Sequence, residues 1–374
     1  MLTRDIAEPI VRETSLRLNR NINIMNHKGV IISSCDPSRV NDIHEGALEV
    51  LDSGKTLIIN PNQKNIYKGT QPGVNLPIVF QDKMVGVIGI TGNPAEIVEL
   101  GELVKMTTEL MLKQEYIASQ LEWKQRTKEM VVEELLKDSP SYNHIERGLN
   151  LLNVQLEPPY TAFVVQMTKR STPNNIIIEK LENEIGTQRG FAAFININRI
   201  YLISCGLTPL EAKEKGERFC SILKKLNITF RIAFSNPFHH VDKFSQSYTE
   251  CDIALAISED SRHLIPYADI ESKALIYQID KDKAEEFSQR VISKMISKNA
   301  DILECFFNHN FNIQKTADAL FIHRNTLIYR LKMIEEKTGY DPKDFKDALT
   351  LQLAIWIDRK SEKDISYKKL NRQT

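Results

Sequence analysis

Two stretches of the chain gather residue types whose chemistry exceeds what packing needs. His323-Arg324-Asn325-Thr326, followed by Tyr329 and Arg330, collects groups that read nucleic acid. Arginine pairs bidentately with guanine and asparagine with adenine, while threonine and tyrosine hydroxyls suit phosphate. Lys315 and Thr316, just upstream, are expected at backbone phosphates. Near the N-terminus, Arg39 and His44 offer a cation and an imidazole to an anion. A carboxylate leaving water needs such donors, since burying it unpartnered costs on the order of several kcal/mol. The segment GTQPGVN adds Gly69, Gly73 and Asn75, ITGNP adds Thr91 and Gly92, and Lys68 is a further candidate. An alternative stands beside this reading, in which the glycines shape turns, Arg39 pairs with Glu45, and His44 is a cap or core residue.

The elements around the first cluster read as a helix-turn-helix. Asn312 is placed to cap a short helix from Ile313 to Leu320, because its side chain can accept from the free amides of the first turn. Ala317 is small enough to let a second helix approach, and Phe321 and Ile322 are expected to plug the crevice. From His323 or Arg324 a second helix follows, with Leu327, Leu331 and Ile334 on its inner face. Phe321 stands at the turn position where many such units have glycine. Arg330 is open between phosphate and an ion pair with Glu335 or Asp347.

The second cluster sits in a segment that alternates like a small antiparallel α+β domain. An amphipathic stretch (Ile6, Ile10, Val11, Leu16, Leu18) precedes strand-like INIMN and GVIISS, a helix from Asp42 to Ser53 stopped by Gly54, and strands LIIN, LPIVF and MVGVIGITG. Arg39 is then expected just before a helix N-terminus, where free amides favour an anion. From Ala95 to Lys137 one long helix is predicted. Its seam Leu100, Leu103, Thr107, Leu110, Gln114, Ile117 and Leu121, broadened by Val104, Met111 and Ala118, can face either the sheet or a partner helix, and Thr and Gln at core positions would weaken a dimeric coiled coil. Strands TAFVVQM, FAAFINI, RIYLISC and ITFRIAFS alternate with helical patterns in the middle, and a helical region from Lys281 to Asp358 precedes a polar tail expected to fray. The fold class is therefore multidomain α+β, with domains 1–137, 138–280 and 281–374.

Composition bounds the function. A chain of 374 residues exceeds one core's usual limit of about 250 to 300. Lys plus Arg and Asp plus Glu both number 49, so DNA contact must come from a local patch. No apolar run approaches the roughly 18 residues of a spanning helix, which points to a cytoplasmic protein. Five scattered cysteines, none in C-x-x-C, suit a reducing compartment and suggest no metal. There is no G-x-x-x-x-G-K-[ST], G-x-S-x-G or H-E-x-x-H, so no enzyme and no cofactor are expected.

At Thr316-Ala317, Leu320, Ile322-His323-Arg324-Asn325-Thr326-Leu327 and Tyr329-Arg330-Leu331 the sequence resembles the C-terminal helix-turn-helix of the carbohydrate diacid regulator family and of the purine catabolism regulators. DPSRVNDIHEGA, GTQPGVNLPI and VIGITGNP resemble the sugar diacid recognition domain of the former. One departure is Asn41, within VND, where that family commonly has glycine. RIAFSNPF and SYTECDIALAI resemble a degenerate GGDEF-like domain, whose hairpin, FININRIYLI, lacks the carboxylates and glycines of nucleotide cyclases. The resemblance implies a regulator, most often an activator, of genes for glucarate, galactarate, glycerate or glycolate use. It implies double-stranded DNA and a small hydroxy acid or sugar diacid as partners, a homodimer, and Arg39, His44, Asn75, Thr91 and Gly73 as effector residues. A nucleotide-binding or cyclic-dinucleotide role for the middle domain is the rival reading.

Overall fold

The computed structural model describes residues 2–63, 67, 70–186, 188–292 and 294–370, which form two compact units, Met1–Gln125 and Arg126–Thr374. Lys68 and Gly69 lie outside the described residues. In the first unit α1 (Arg4–Leu18) leads into a hairpin of β1 (Ile22–Asn26) and β2 (Ile31–Ser34). Gly29 closes that turn at φ +75°, a conformation L side chains resist. After a 3-10 turn (Pro37–Arg39) come α2 (Glu45–Ser53), β3 (Leu57–Ile59), β4 (Gly73–Phe80), β5 (Lys83–Thr91) and α3 (Pro94–Leu135). The strands pair antiparallel in the order β2-β1-β5-β4-β3.

Side chains alternate across this sheet. Val74, Leu76, Ile78, Ile88 and Ile90 bury against α1 and α3 on one face. Met25 and Val87 pack with Ala47 and Val50 of α2 on the other. Gly73 pairs with Thr91 and Asn75 with Gly89, in phase with Val87, so all four belong to the α2 face. Leu16, read as part of an apolar stripe, is instead 75% exposed at the end of α1.

Helix α3 carries two stripes. Ile97, Gly101, Val104, Thr108 and Leu112 are buried on the sheet side. Gly101 allows a close approach there, because a Cβ would lie 3.0 Å from Leu76 Cδ1 and that methyl would have to give way. The seam predicted from periodicity is the other stripe, exposed from Leu103 to Leu121; Leu100 is half-buried, and Val104, expected to broaden the seam, belongs instead to the sheet side. Its last turns, with Val131, Val132 and Leu135, are buried in the second unit's core.

That unit continues through α4 (Tyr142–Leu152), β6 (Tyr160–Lys169), α5 (Asn174–Ile185), β7 (Gly190–Asn196), β8 (Arg199–Cys205), α6 (Pro209–Lys225), β9 (Thr229–Phe234), α7 (Phe244–Ile257), β10 (Leu264–Pro266) and α8 (Glu271–Tyr277). Its sheet runs β10-β9-β6-β8-β7, with only β10 and β9 parallel. Ala162, Val164, Tyr201 and Ile203 face α4 and α7, whereas Phe163, Val165, Ile200 and Leu202 face α5 and α6, giving an α/β sandwich. An all-α region follows, α9 (Lys281–Val291), α10 (Lys294–Asn308), α11 (Ile313–Ala319), α12 (Arg324–Thr338) and α13 (Phe345–Leu370). The helix α13 continues well past Asp358, where composition suggested fraying.

Candidate functional site

On the α2 face of the first sheet, four elements bring polar groups together. Helix α2 begins at Glu45, three residues later than the pattern predicted, and His44 is its N-cap. The imidazole Nδ1 accepts from the Ala47 amide at 3.2 Å, so the ring carries its proton on Nε2. His44 is 5% exposed, and burial, aided by the charge of Arg39, lowers its pKa to about 4. It is therefore a neutral donor at physiological pH. Arg39 does not precede the helix directly. It is half-buried in the 3-10 turn that Asp36 caps by accepting from the Ser38 amide. Asn41, the departure from the family pattern, takes φ +78°, so asparagine serves the left-handed position that glycine commonly fills.

Gly46 marks how tightly the parts converge. A Cβ placed on it would lie 3.2 Å from His44 Cε1, 3.3 Å from Asn75 Nδ2 and 3.3 Å from Thr70 Cγ2. Gly89, opposite Asn75, likewise leaves room, since its Cβ would meet Asn75 Oδ1 at 2.7 Å. Asn75 is 4% exposed, and its side chain makes no hydrogen bond among the described residues. His44 Nε2–H and the Asn75 amide thus offer two donors and an acceptor side by side at a helix N-terminus, with a guanidinium nearby. A carboxylate with an adjacent hydroxyl matches that set.

Gly73 and Thr91 share this face but for a different reason. Gly73 is not in a left-handed conformation, and a Cβ there would strike the Ile90 carbonyl oxygen at 2.2 Å, so the glycine serves sheet contact. Thr91 is half-buried as its cross-strand partner. Sequence reasoning missed Thr70, Gly46 and Gly89, and only their spacing within DIHEGA, GTQ and VIGITG hinted at them. A cleft of about 280 Å³ lies on the opposite sheet face, among Ile6, Phe80, Val85, Leu112 and Tyr116. Its lining holds no cation, so the polar cluster at α2, with Arg39 beside it, is the better candidate for an anion.

In the C-terminal region, Asn312 caps α11 by accepting from the Lys315 amide at 2.9 Å. The helix closes with Ile322 N–H on Ala317 O at 3.0 Å and Phe321 N–H on Asp318 O at 3.2 Å, the crossed pair of a left-handed C-terminal cap. Phe321 takes the left-handed position at φ +53°. Its side chain does not plug the crevice, because that conformation turns it outward to 95% exposure, and Ile322 alone packs inward. His323 caps α12 by accepting from the Asn325 amide at 3.2 Å, and Leu327, Leu331 and Ile334 are buried with Ala317.

Arg324, Asn325, Thr326, Tyr329 and Arg330 are exposed together on α12, with Lys315 exposed on α11. Arg330 forms no ion pair with Glu335 or Asp347 among the described residues. Thr316 is a correction. It is fully buried and donates to the Asn312 carbonyl at 2.7 Å, so it supports the cap and does not reach phosphate.

The middle hairpin tip, Asn196 to Arg199, holds no carboxylate. Arg199 is bound by Asp252 at 2.7 Å, Tyr248 at 3.0 Å and Gln166, while Arg170 donates to Ile197 O at 2.6 Å. The groups that would meet phosphate or Mg²⁺ are thus absent or engaged within the fold.

A surface-presented recognition helix, locked by two side-chain caps onto a helical core, defines a DNA-binding transcription regulator of helix-turn-helix type. Three family models match consecutively: sugar diacid recognition over residues 2–135, a GGDEF-like domain over 137–257, and the PucR C-terminal helix-turn-helix domain over 300–357. The carbohydrate diacid regulator of Escherichia coli is 28% identical over 96% of this chain and 98% of its own. The purine catabolism regulatory protein of Bacillus subtilis is 24% identical over 35% of this chain and 26% of its own. The chain is thus similar over nearly its whole length to the carbohydrate diacid regulator, and each of its three domains matches a model of its own. Among solved structures, a regulator of polyketide synthase expression from Bifidobacterium adolescentis covers 64% of the chain and 92% of its own at 19% identity, with a TM-score of only 0.31.

Proposed function

We propose that this protein activates, as a cytoplasmic homodimer, genes for the use of a small hydroxy acid or sugar diacid such as glycerate, glycolate, glucarate or galactarate. The effector is held at the N-terminus of α2. The observation that carries this reading is the convergence of the neutral His44 donor with the Asn75 side chain around Gly46, beside Arg39. The carboxylate accepts from His44 Nε2 and the Asn75 amide, with Arg39 supplying the charge. The hydroxyl donates to Asn75 Oδ1, a pairing that a simple fatty acid lacks.

Binding there acts on α3, which is packed on the sensor sheet at Val104 and Leu112 and in the second core at Val131 and Leu135. The shift sets the spacing of two recognition helices, each presenting His323, Arg324, Asn325, Thr326 and Tyr329 to base edges, with Lys315 and Arg330 on phosphates. Two half-sites one helical turn apart give the specificity one unit lacks. No enzymatic step and no cofactor enter this scheme. The test is the thermal midpoint of the full chain titrated with the four acids and with acetate and propionate as controls, since a ligand of the folded state stabilises it by mass action. A rise with a hydroxy acid but not its deoxy control supports the site, and no rise with any hydroxy acid removes it.

A further inference from the structure

The two stripes of α3 call for different partners, and the first unit supplies only one. The inner stripe meets the sheet. On the outer stripe Leu103, Leu110, Ile117 and Leu121 are 57%, 53%, 49% and 60% exposed. Scattered exposed leucines are ordinary, but these follow a 7-residue repeat. Leu103, Leu110 and Ile117 stand seven apart, and Thr107, Gln114 and Leu121 fill the alternate seam position, also seven apart. Leu112, 5% exposed on the sheet, falls on the helix side opposite that seam. A seven-residue repeat fits another long helix running alongside, whereas a sheet or a small ligand has no use for it.

We propose that a second copy of this chain docks along the outer stripe of α3, parallel and in register. The docking gives the homodimer of the preceding reading its surface and direction. Charge favours identity of the partner. The positions flanking the seam are Met106, Lys113 and Gln120 on one side and Met111 and Ala118 on the other. In a parallel self-pair Met106 meets Met111 and Lys113 meets Ala118, so no like charges oppose. The acids Glu102, Glu115 and Glu122 lie outside the seam. Thr107 and Gln114 each meet their own copy. A paired amide in such a seam fixes register at a cost in stability, which suits a contact that must shift when effector binds. Exposed Val79, near the end of β4, lines a cleft together with Met106, Leu110 and Ile117 and widens the apolar face.

Sedimentation of the full chain tests the contact. Leu110→Glu/Ile117→Glu changes only exposed positions, and its thermal midpoint reports whether the subunit is intact. The wild type is expected to sediment as a dimer and the double variant, folded, to dissociate with a Kd raised about a hundredfold or more. A monomeric wild type, or a folded variant that dimerises with unchanged Kd, overturns the proposal. Direction is read by mild oxidation, with the wild type as the control for its native cysteines. Leu121→Cys is expected to cross-link to itself, and cross-linking confined to a mixture of Leu103→Cys with Leu121→Cys would mean antiparallel pairing and overturn it too. Binding of a duplex selected from random sequence, measured on the same variant, separates loss of the dimer from failure of the DNA-binding reading. A monomer with an intact recognition helix still binds that duplex, more weakly and with its base preference retained.

Discussion

His44 has a structural role that leaves room for the proposed one. As a cap it accepts at Nδ1 from α2, and that choice leaves Nε2–H for a ligand. Because burial lowers its pKa from 6.5 to about 4, protonation is resisted in the folded state. The unfolded chain therefore takes up the proton first as pH falls. The stabilisation is complete above about pH 6.5 and is lost on the way down to about pH 4. Replacing His44 by Asn keeps a capping acceptor but removes the titration, so the decline of the unfolding midpoint between those values should become shallower than in the wild type. Effector affinity should also be flat from pH 8 to about pH 6, since the donor is neutral there; affinity falling as pH rises through 6.5 would mean that a charged imidazole is the anchor. Phe321 is the opposite case. It holds a left-handed conformation that favours glycine, and its exposed ring gains nothing from the core. Phe321→Gly is expected to stabilise the protein by about 1 kcal/mol in urea titration, and a lower midpoint would place the ring in a contact of its own.

At the scale of elements, α12 divides its labour by face. Leu331 is buried with Leu327 and Ile334, so Leu331→Ala should cost about 2 to 5 kcal/mol of stability. Arg324→Ala or Asn325→Ala should leave stability nearly unchanged but weaken binding to the selected operator by about 1 to 3 kcal/mol and relax base preference; affinity within about twofold of wild type would remove them from the reading face. This unit was legible in sequence because caps, small residues and buried leucines act over a few residues. Thr316 was misread for the same local reason, its hydroxyl finding the carbonyl four residues back and leaving the surface. Helix α3 was legible as a helix but not as an assignment of faces, since two apolar stripes on one cylinder do not declare which meets the sheet. The cluster proposed to hold the effector was half-legible. Arg39 and His44 lie close in sequence, whereas the approach of Asn75, Thr70 and Gly46 depends on strand pairing and on α2 crossing the sheet.

For the whole molecule, net charge is zero, so attraction to DNA is confined to the recognition surface and does not pull the sensor with it. Sensor and reader are then separable in their affinities and joined only through their coupling. Arg39→Ala tests that separation. Arg39 supplies the formal charge at the proposed effector site, and the variant should lose the thermal shift with effector. Its operator affinity without effector should stay within about twofold of the wild type, because coupling acts only through ligand binding. The coupling is reciprocal, so saturating operator DNA should alter the wild-type affinity for effector by the same factor by which effector alters operator affinity. If Arg39→Ala retains the full shift, the charge resides elsewhere and the effector site must be sought outside α2. If it loses basal operator binding while folded, sensor and reader are not independent, and effector control works by changing the integrity of the dimer instead of its spacing.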